Sequence, residues 1–229
     1  MKFSVVIPVY NESTNILNLC NELTEVLKNI DHEIIIIDDC STDDTHYKLK
    51  KINNDIIKII TNKKNRGQSF SIFTGIKVAL NETIVTIDGD GQNDPKDILK
   101  LASCYFENEK ISLVGGVRIK RKDTKLKIIS SIIANKVRSF ILKDQCPDTG
   151  CGLKIFEKKV TLKFPFFDGI HRFLPALFNG YGKKTMFVEV NHRKRIYGYS
   201  KYGTFDRLYR GIRDIFKVKK IIKNQKNIL

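Results

Sequence analysis

Asp88, Asp90 and Asp94 fall within seven positions of one another in TIVTIDGDGQNDP, residues 83–95, directly after an apolar run. Clustered carboxylates repel one another, and at the end of a buried strand they are costly unless something neutralises them. If strand geometry continues through Asp-Gly-Asp, the side chains of Asp88 and Asp90 point the same way. A hard divalent cation such as Mg2+ or Mn2+ relieves that repulsion, because it takes oxygen ligands, usually one or two carboxylates together with substrate phosphates. Gln92, two residues on, offers a third oxygen. Asp43 and Asp94 read more simply as helix caps.

These residues need a frame. Apolar, β-branched runs predict strands at 3–9, 33–39, 56–61, 83–88 and 111–117, with amphipathic stretches between them at 14–29, 42–53, 68–80 and 95–109. In the first of these stretches Ile16, Leu19, Leu23, Val26 and Leu27 share one helical face. Repeating βα units with near-continuous apolar strands imply a mainly parallel sheet covered by helices on both faces. In such sheets ligands bind beyond the carboxyl ends of the strands. Four loops there carry polar groups: Pro8 to Glu12, Asp38 to Asp43, Asn62 to Gly67 and Asp88 to Gln92. After residue 120 the pattern loosens into a helix over 125–142, a turn-rich segment at 146–156, a helix within 169–180, a strand near 185–192 and a helix over 204–223.

The chain has 229 residues, 41 Lys and Arg against 25 acidic residues, and a net charge of +16. Residues 183–229 hold fourteen Lys and Arg against Glu189, Asp206 and Asp214, a surface that attracts phosphates. No run approaches eighteen uncharged apolar residues, so no membrane-spanning helix is predicted. The opening MKFSVVIPVYNE reads straight into a strand without a cleavage pattern. Five cysteines without zinc spacing suggest free thiols in a reducing cytosol. None of the four histidines is assigned to a metal or to catalysis. The first strand is not followed by G-x-G-x-x-G, nor is there a P-loop lysine, so phosphates are left to a metal and cationic side chains.

VVIPVYNE, IIIIDDCSTDDT, NKKNRGQSFSIFTG, TIDGDGQNDP and DTGCGLKIF occur in the order seen in family 2 glycosyltransferases. The chain most resembles the branch acting on polyprenyl phosphates, of the dolichol-phosphate mannose synthase type. The likeness continues through FFDGIHRFLPAL and VNHRKRIYGYSKYG, almost to the end of the chain. It implies a GT-A fold, a Rossmann-like, mostly parallel sheet, with a UDP- or GDP-sugar donor and Mg2+ or Mn2+. Carried over by position, Pro8, Tyr10, Glu12 and Asp39 hold the nucleoside, and Asp88 orients the sugar-nucleotide. Asp90 and Gln92 ligate the metal, while Arg118, Arg195 and Lys201 meet phosphate groups. Asp148, in the DTG turn, is a positioning or catalytic residue, or a cap of its own turn.

The implied reaction is inverting transfer to a polyprenyl phosphate such as undecaprenyl phosphate, by an enzyme peripheral on the inner face of the cytoplasmic membrane. Two alternatives stand beside it: transfer to a hydroxyl of a glycan or glycolipid in cell-envelope polysaccharide synthesis, and a non-catalytic basic module binding nucleic acid or anionic membrane. The expected organisation is a catalytic domain over 1–203 and a basic amphipathic C-terminal helix over 204–229. In that helix Phe205, Leu208, Ile212, Ile215, Phe216 and Ile222 form an apolar stripe that either enters a membrane interface or packs on the domain.

Overall fold

A computed structural model of the chain describes residues 1–119, 125–194 and 204–226, without the side chains of 125–131, 204–210 and 226. Its centre is one seven-stranded sheet with strand order β3-β2-β1-β4-β6-β5-β7. The strands are β1 (Lys2–Val9), β2 (Asp31–Asp38), β3 (Ile57–Thr61), β4 (Thr83–Thr86), β5 (Ile111–Arg118), β6 (Lys154–Glu157) and β7 (Lys184–Val190). β1 pairs in parallel with β2 and β4, β2 with β3, and β5 with β7. Only β6 runs the other way, antiparallel to both β4 and β5. The sheet is mixed but mainly parallel, as the βα repeat requires. The antiparallel insertion was hidden in the segment read as turn-rich, because four residues are too few to show a period.

The helices are α1 (Ile16–Leu27), α2 (Thr45–Lys50), α3 (Gln68–Val78), α4 (Asp97–Phe106), α5 (Lys125–Leu142), α6 (Lys158–Thr161), α7 (Leu174–Gly180) and α8 (Thr204–Lys226). Alternation along the strands divides the core in two. On one face Val5, Ile7, Ile34 and Ile36 meet α1 and α4 through Leu19, Leu23, Ile98 and Leu101. On the other Val6, Ile35 and Ile37 meet Ile72 and Ile76 of α3, with α7 and Ile215 and Val218 of α8 in the same cluster. All four isoleucines of β2 are fully buried, which at roughly 1.5–3 kcal/mol each explains why that strand reads as one apolar run. Gly75 lets α3 lie close on the sheet, since a Cβ there would overlap the Val6 side chain.

The predicted helix over 125–142 forms, but its apolar residues do not all turn inwards. Among its described side chains Arg138 and Leu142 are buried, while Ile132, Ile133, Val137 and Phe140 are exposed. Arg138 Nη1 donates to Asp144 at 2.9 Å and its Nη2 donates to the Cys146 carbonyl, which ties α5 to the loop leading into the site. The stripe on α8 splits. Ile215 and Ile222 belong to the core packing, whereas Ile212 and Phe216 face out. Phe205 and Leu208 lie outside the described side chains. No helix among the described residues is long and apolar enough to cross a membrane.

Candidate active site

The loops after β1 and β2 are knitted together at the carboxyl edge of the sheet. Asn11 N donates to Ser41 Oγ at 3.0 Å, and Thr42 N donates back to Asn11 Oδ1 at 2.8 Å. Glu12 N donates to Thr45 Oγ1 at 2.9 Å, while the Glu12 carboxylate accepts from Asn15 Nδ2. Asn11 and Cys40 both hold positive φ, 54° and 61°. Side chains other than glycine rarely adopt that region, and two such residues side by side mark a rim held in a chosen shape. These bonds fix the segment carrying Tyr10 and Glu12, directly after Pro8 and Val9 of β1, against the loop after β2. Asp43 behaves as a cap, its carboxylate accepting from Thr45 N at 2.9 Å.

Asp39 is 3% exposed and fully engaged. It accepts from Asn62 Nδ2 at 2.7 Å, from Arg66 N at 3.0 Å and from Gly67 N at 2.7 Å. One carboxylate thus draws the β3–α3 loop over the end of β2. Asp38 accepts from Ser41 N at 3.0 Å and lies 3.2 Å from His46 Nδ1.

The acidic loop after β4 occupies the centre. Asp88 Oδ1 accepts from Gln68 Nε2 at 2.8 Å. Its carboxylate lies against Gly152, where any Cβ would overlap it. Gly152 is held in turn by Thr86 Oγ1, which donates to its carbonyl at 2.8 Å. Burial, reinforced by the Asp90 charge, pushes the Asp88 carboxyl up to about 6, although Lys154 and Arg118 oppose the shift. The two carboxylates therefore do burden one another. Gln92 N donates to Asp90 Oδ1 at 3.1 Å, and the Gln92 carbonyl accepts from Arg193 N at 2.8 Å, pinning this loop to the chain leaving β7. Arg193 also pairs with Asp94 at 2.9 Å and Glu22 at 2.7 Å.

Among the described residues no group of three or more His, Cys, Asp or Glu could enclose a metal ion. Two mutually repelling carboxylates, each lining a cavity, still fit a cation whose remaining ligands come from a substrate phosphate.

Arg118, at the end of β5, forms a two-pronged pair with Asp148. Its Nε donates to Oδ2 at 2.7 Å and its Nη2 to Oδ1 at 2.8 Å. Asp148 also accepts from Gly150 N at 3.1 Å, so it both shapes its turn and aims the guanidinium. Burial works against the Arg118 charge, but the Asp148 hydrogen bonds and charge outweigh it and hold the group above its ordinary value. Arg195 and Lys201 lie outside the described residues.

A cavity of about 270 Å³ opens beside Asp88, lined among others by Gln68, Gly152, Asp168, His171, Arg172 and Asp214. A smaller one of about 90 Å³ touches Asp90, Glu22 and Arg193. The structure thus brings the charges of Asp90 and Arg118 to bear on Asp88, with Asp148 paired to Arg118, while Asp88 and Asp90 line separate cavities. It adds residues that sequence reasoning passed over. Lys154 is 3% exposed, and its ammonium donates to the Cys151 carbonyl beneath Asp88. Asp168 is an exposed carboxylate on the cavity wall, and Arg172 Nη2 donates to Asp214 Oδ2 of α8 at 3.0 Å. The signal available for these was the segment FDGIHR, whose residues become neighbours of Asp88 only once the chain is folded.

This sheet order, with its acidic loop after β4 and helices on both faces, is the GT-A glycosyltransferase architecture. The glucosyl-3-phosphoglycerate synthase of Mycobacterium tuberculosis shares it, with a TM-score of 0.73 at 15% identity over 98% of this chain and 79% of that one. The chain belongs to glycosyl transferase family 2, whose sequence model matches residues 4–164. The dodecaprenyl-phosphate galacturonate synthase of Rhizobium johnstonii is 33% identical over 226 residues, covering 95% of this chain and 66% of that protein. The undecaprenyl-phosphate 4-deoxy-4-formamido-L-arabinose transferase of Yersinia pestis is 31% identical over 207 residues, covering 88% of this chain and 62% of that protein. The chain therefore spans just under two thirds of the length of these curated relatives.

Proposed function

We propose that this protein transfers a sugar, with inversion, from a UDP- or GDP-sugar to a polyprenyl phosphate such as undecaprenyl phosphate, and that Mg2+ or Mn2+ is required. The observation that carries the reading is the grouping of Asp88, which lines the larger cavity, with the charges of Asp90 and of Arg118, a cation aimed by Asp148. Homology to two transferases named for polyprenyl phosphates supports the acceptor.

In this reading Pro8, Tyr10, Glu12 and Asp39 form the nucleoside wall, with Asp39 acting through the 62–67 loop that it holds. Asp90 and Gln92 would hold the cation, which supplies positive charge to the donor diphosphate. Asp88 orients the sugar-nucleotide against Gly152. An ionised phosphate oxygen of the acceptor forms the new bond to the anomeric carbon as the bond to the diphosphate breaks. Negative charge grows on the leaving diphosphate, and Arg118, held by Asp148, stabilises it. A lipid phosphate is already ionised at neutral pH, so the reaction needs no general base.

One observation favours a second reading, transfer to a sugar hydroxyl of a glycan or glycolipid. That reaction needs a base, and Asp168 stands exposed on the cavity wall while Asp148 is committed to Arg118. The two are separated by incubating the protein with radiolabelled UDP- and GDP-sugars and Mn2+, with and without undecaprenyl phosphate. Label entering an organic-extractable, acid-labile product is expected, and Asp90→Asn should abolish it while leaving the fold intact. Metal-dependent donor binding without lipid transfer would shift the acceptor to a glycan.

Peripheral attachment to an anionic membrane, on its inner face, belongs to the same proposal. Ile132, Ile133, Val137 and Phe140 of α5 and Ile212 and Phe216 of α8 are exposed. Lys136, Lys143, Arg213, Lys217, Lys219, Lys220 and Lys223 are exposed on the same two helices or at their ends. Apolar side chains among Lys and Arg suit a bilayer surface carrying negative lipids.

A further inference from the structure

We propose that His171 is an uncharged hydrogen-bond donor of fixed tautomer that reads an oxygen of the transferred sugar in the cavity beside Asp88, and that Ser69 sets the tautomer. The inference rests on the reading of that cavity as the place where a nucleotide-sugar presents its sugar.

Ser69 lies in the first turn of α3 and is fully buried. Its hydroxyl oxygen accepts from Gly169 N at 2.8 Å and stands 2.7 Å from His171 Nδ1. A hydroxyl carries a single proton. With the Gly169 amide already donating to the oxygen, that proton goes to Nδ1. The opposite arrangement, with Nδ1–H donating to Ser69, would leave a buried hydroxyl proton without the acceptor it has here, which is costly. Nδ1 is thus an acceptor and the ring proton sits on Nε2. His171 lines the cavity, so with Nδ1 taken, Nε2–H is what a ligand meets.

Burial keeps the ring neutral, although charged groups of both signs face it from several elements. Asp88 follows β4, Lys154 lies on β6, Asp168 and Arg172 come from the same turn as His171, and Arg213 and Asp214 belong to α8. Burial, with Arg172 and Lys154 adding to it, holds the imidazole well below the ordinary histidine value. An Nε2–H donor and the Asp168 acceptor on one wall match a sugar hydroxyl, which accepts from one and donates to the other. Sites built to hydrogen-bond a hydroxyl discriminate strongly against analogues that lack it.

The test is nitrogen-15 NMR of histidine-labelled protein, with the His171 signal assigned by its loss in His171→Gln. The probes are UDP-galacturonate, UDP-glucose and GDP-mannose with Mg2+, compared with UDP and GDP, and binding is followed independently by calorimetry. The expected result is an Nε2–H tautomer that does not titrate near 6.5, the ordinary histidine value. A sugar-nucleotide that binds shifts that signal, and the bare nucleotides do not. Ser69→Ala should mix the tautomers and weaken sugar-nucleotide binding by about three- to tenfold, as expected for one neutral hydrogen bond, while leaving UDP or GDP affinity unchanged. An Nδ1–H tautomer, ordinary titration, or sugar-nucleotide binding that leaves the signal still would overturn the inference alone. Failure of every sugar-nucleotide to bind would overturn the donor reading as well.

Discussion

Asp88 is held at about 6 by burial and by Asp90, against an ordinary value of 3.8. The folded protein therefore keeps that proton more tightly than the unfolded chain does, and stability should fall as pH rises between those two values. If, as proposed, a cation and a sugar-nucleotide bind beside Asp88 and favour its ionised form, binding at pH 6 should release about half a proton per site. Calorimetry in buffers of different ionisation enthalpy measures this, and Asp88→Asn should remove it. Release that persists in the variant would mean that another group titrates. Gly152→Ala tests the same carboxylate from behind. The new methyl group displaces Asp88, and sugar-nucleotide affinity should drop about tenfold or more while the melting temperature moves little. At this scale the sequence was half legible. Asp88, Asp90 and Gln92 stand together in one loop, so composition and spacing reveal them. Lys154, Asp168 and His171 meet Asp88 only through the pairing of β4 with β6 and the return of the 166–172 segment, which no local pattern encodes.

The elements show the same division. β1 to β5 were readable because each lies in an apolar, β-branched run that alternates with an amphipathic stretch, and the longer helices between them, such as α1, keep a 3.6-residue period. β6 is too short for its antiparallel direction to be read, and the direction of a strand is a tertiary property in any case. α5 misled in another way: amphipathicity reports that a face is apolar, not what covers it. One close approach is testable here. Gly75→Ala forces a methyl group into Val6 between α3 and β1, an overpacking that should cost about 1–3 kcal/mol. Chemical denaturation measures it, and an unchanged midpoint would show that α3 can shift without penalty.

For the whole molecule, the exposed faces of α5 and α8 set an expectation about attachment. Phe140 is 86% exposed and Phe216 62% exposed. Replacing both with Asp should sharply reduce sedimentation with phosphatidylglycerol vesicles and leave the far-ultraviolet circular dichroism unchanged. Binding to the same vesicles should weaken as salt is raised, because the lysines contribute through screened charge. Equal binding by wild type and the double variant would remove these helices from the membrane surface.

α8 also reaches the cavity. Its Asp214 is nearly inaccessible and is clasped by Arg172, while Arg213 stands at the same opening. In the proposed reading, one helix would turn its exposed side towards lipid and another side towards the cavity that takes the sugar. Anything that alters the helix's seat at one end alters its free energy at the other, and thermodynamic reciprocity then applies. If vesicles tighten the hold on a sugar-nucleotide, the sugar-nucleotide must tighten the hold on vesicles by the same factor. Arg172→Ala, which removes the ion pair between the helix and the cavity turn, should bring that shared factor towards one. The protein would then sense its membrane only through contact, and no longer through its substrate.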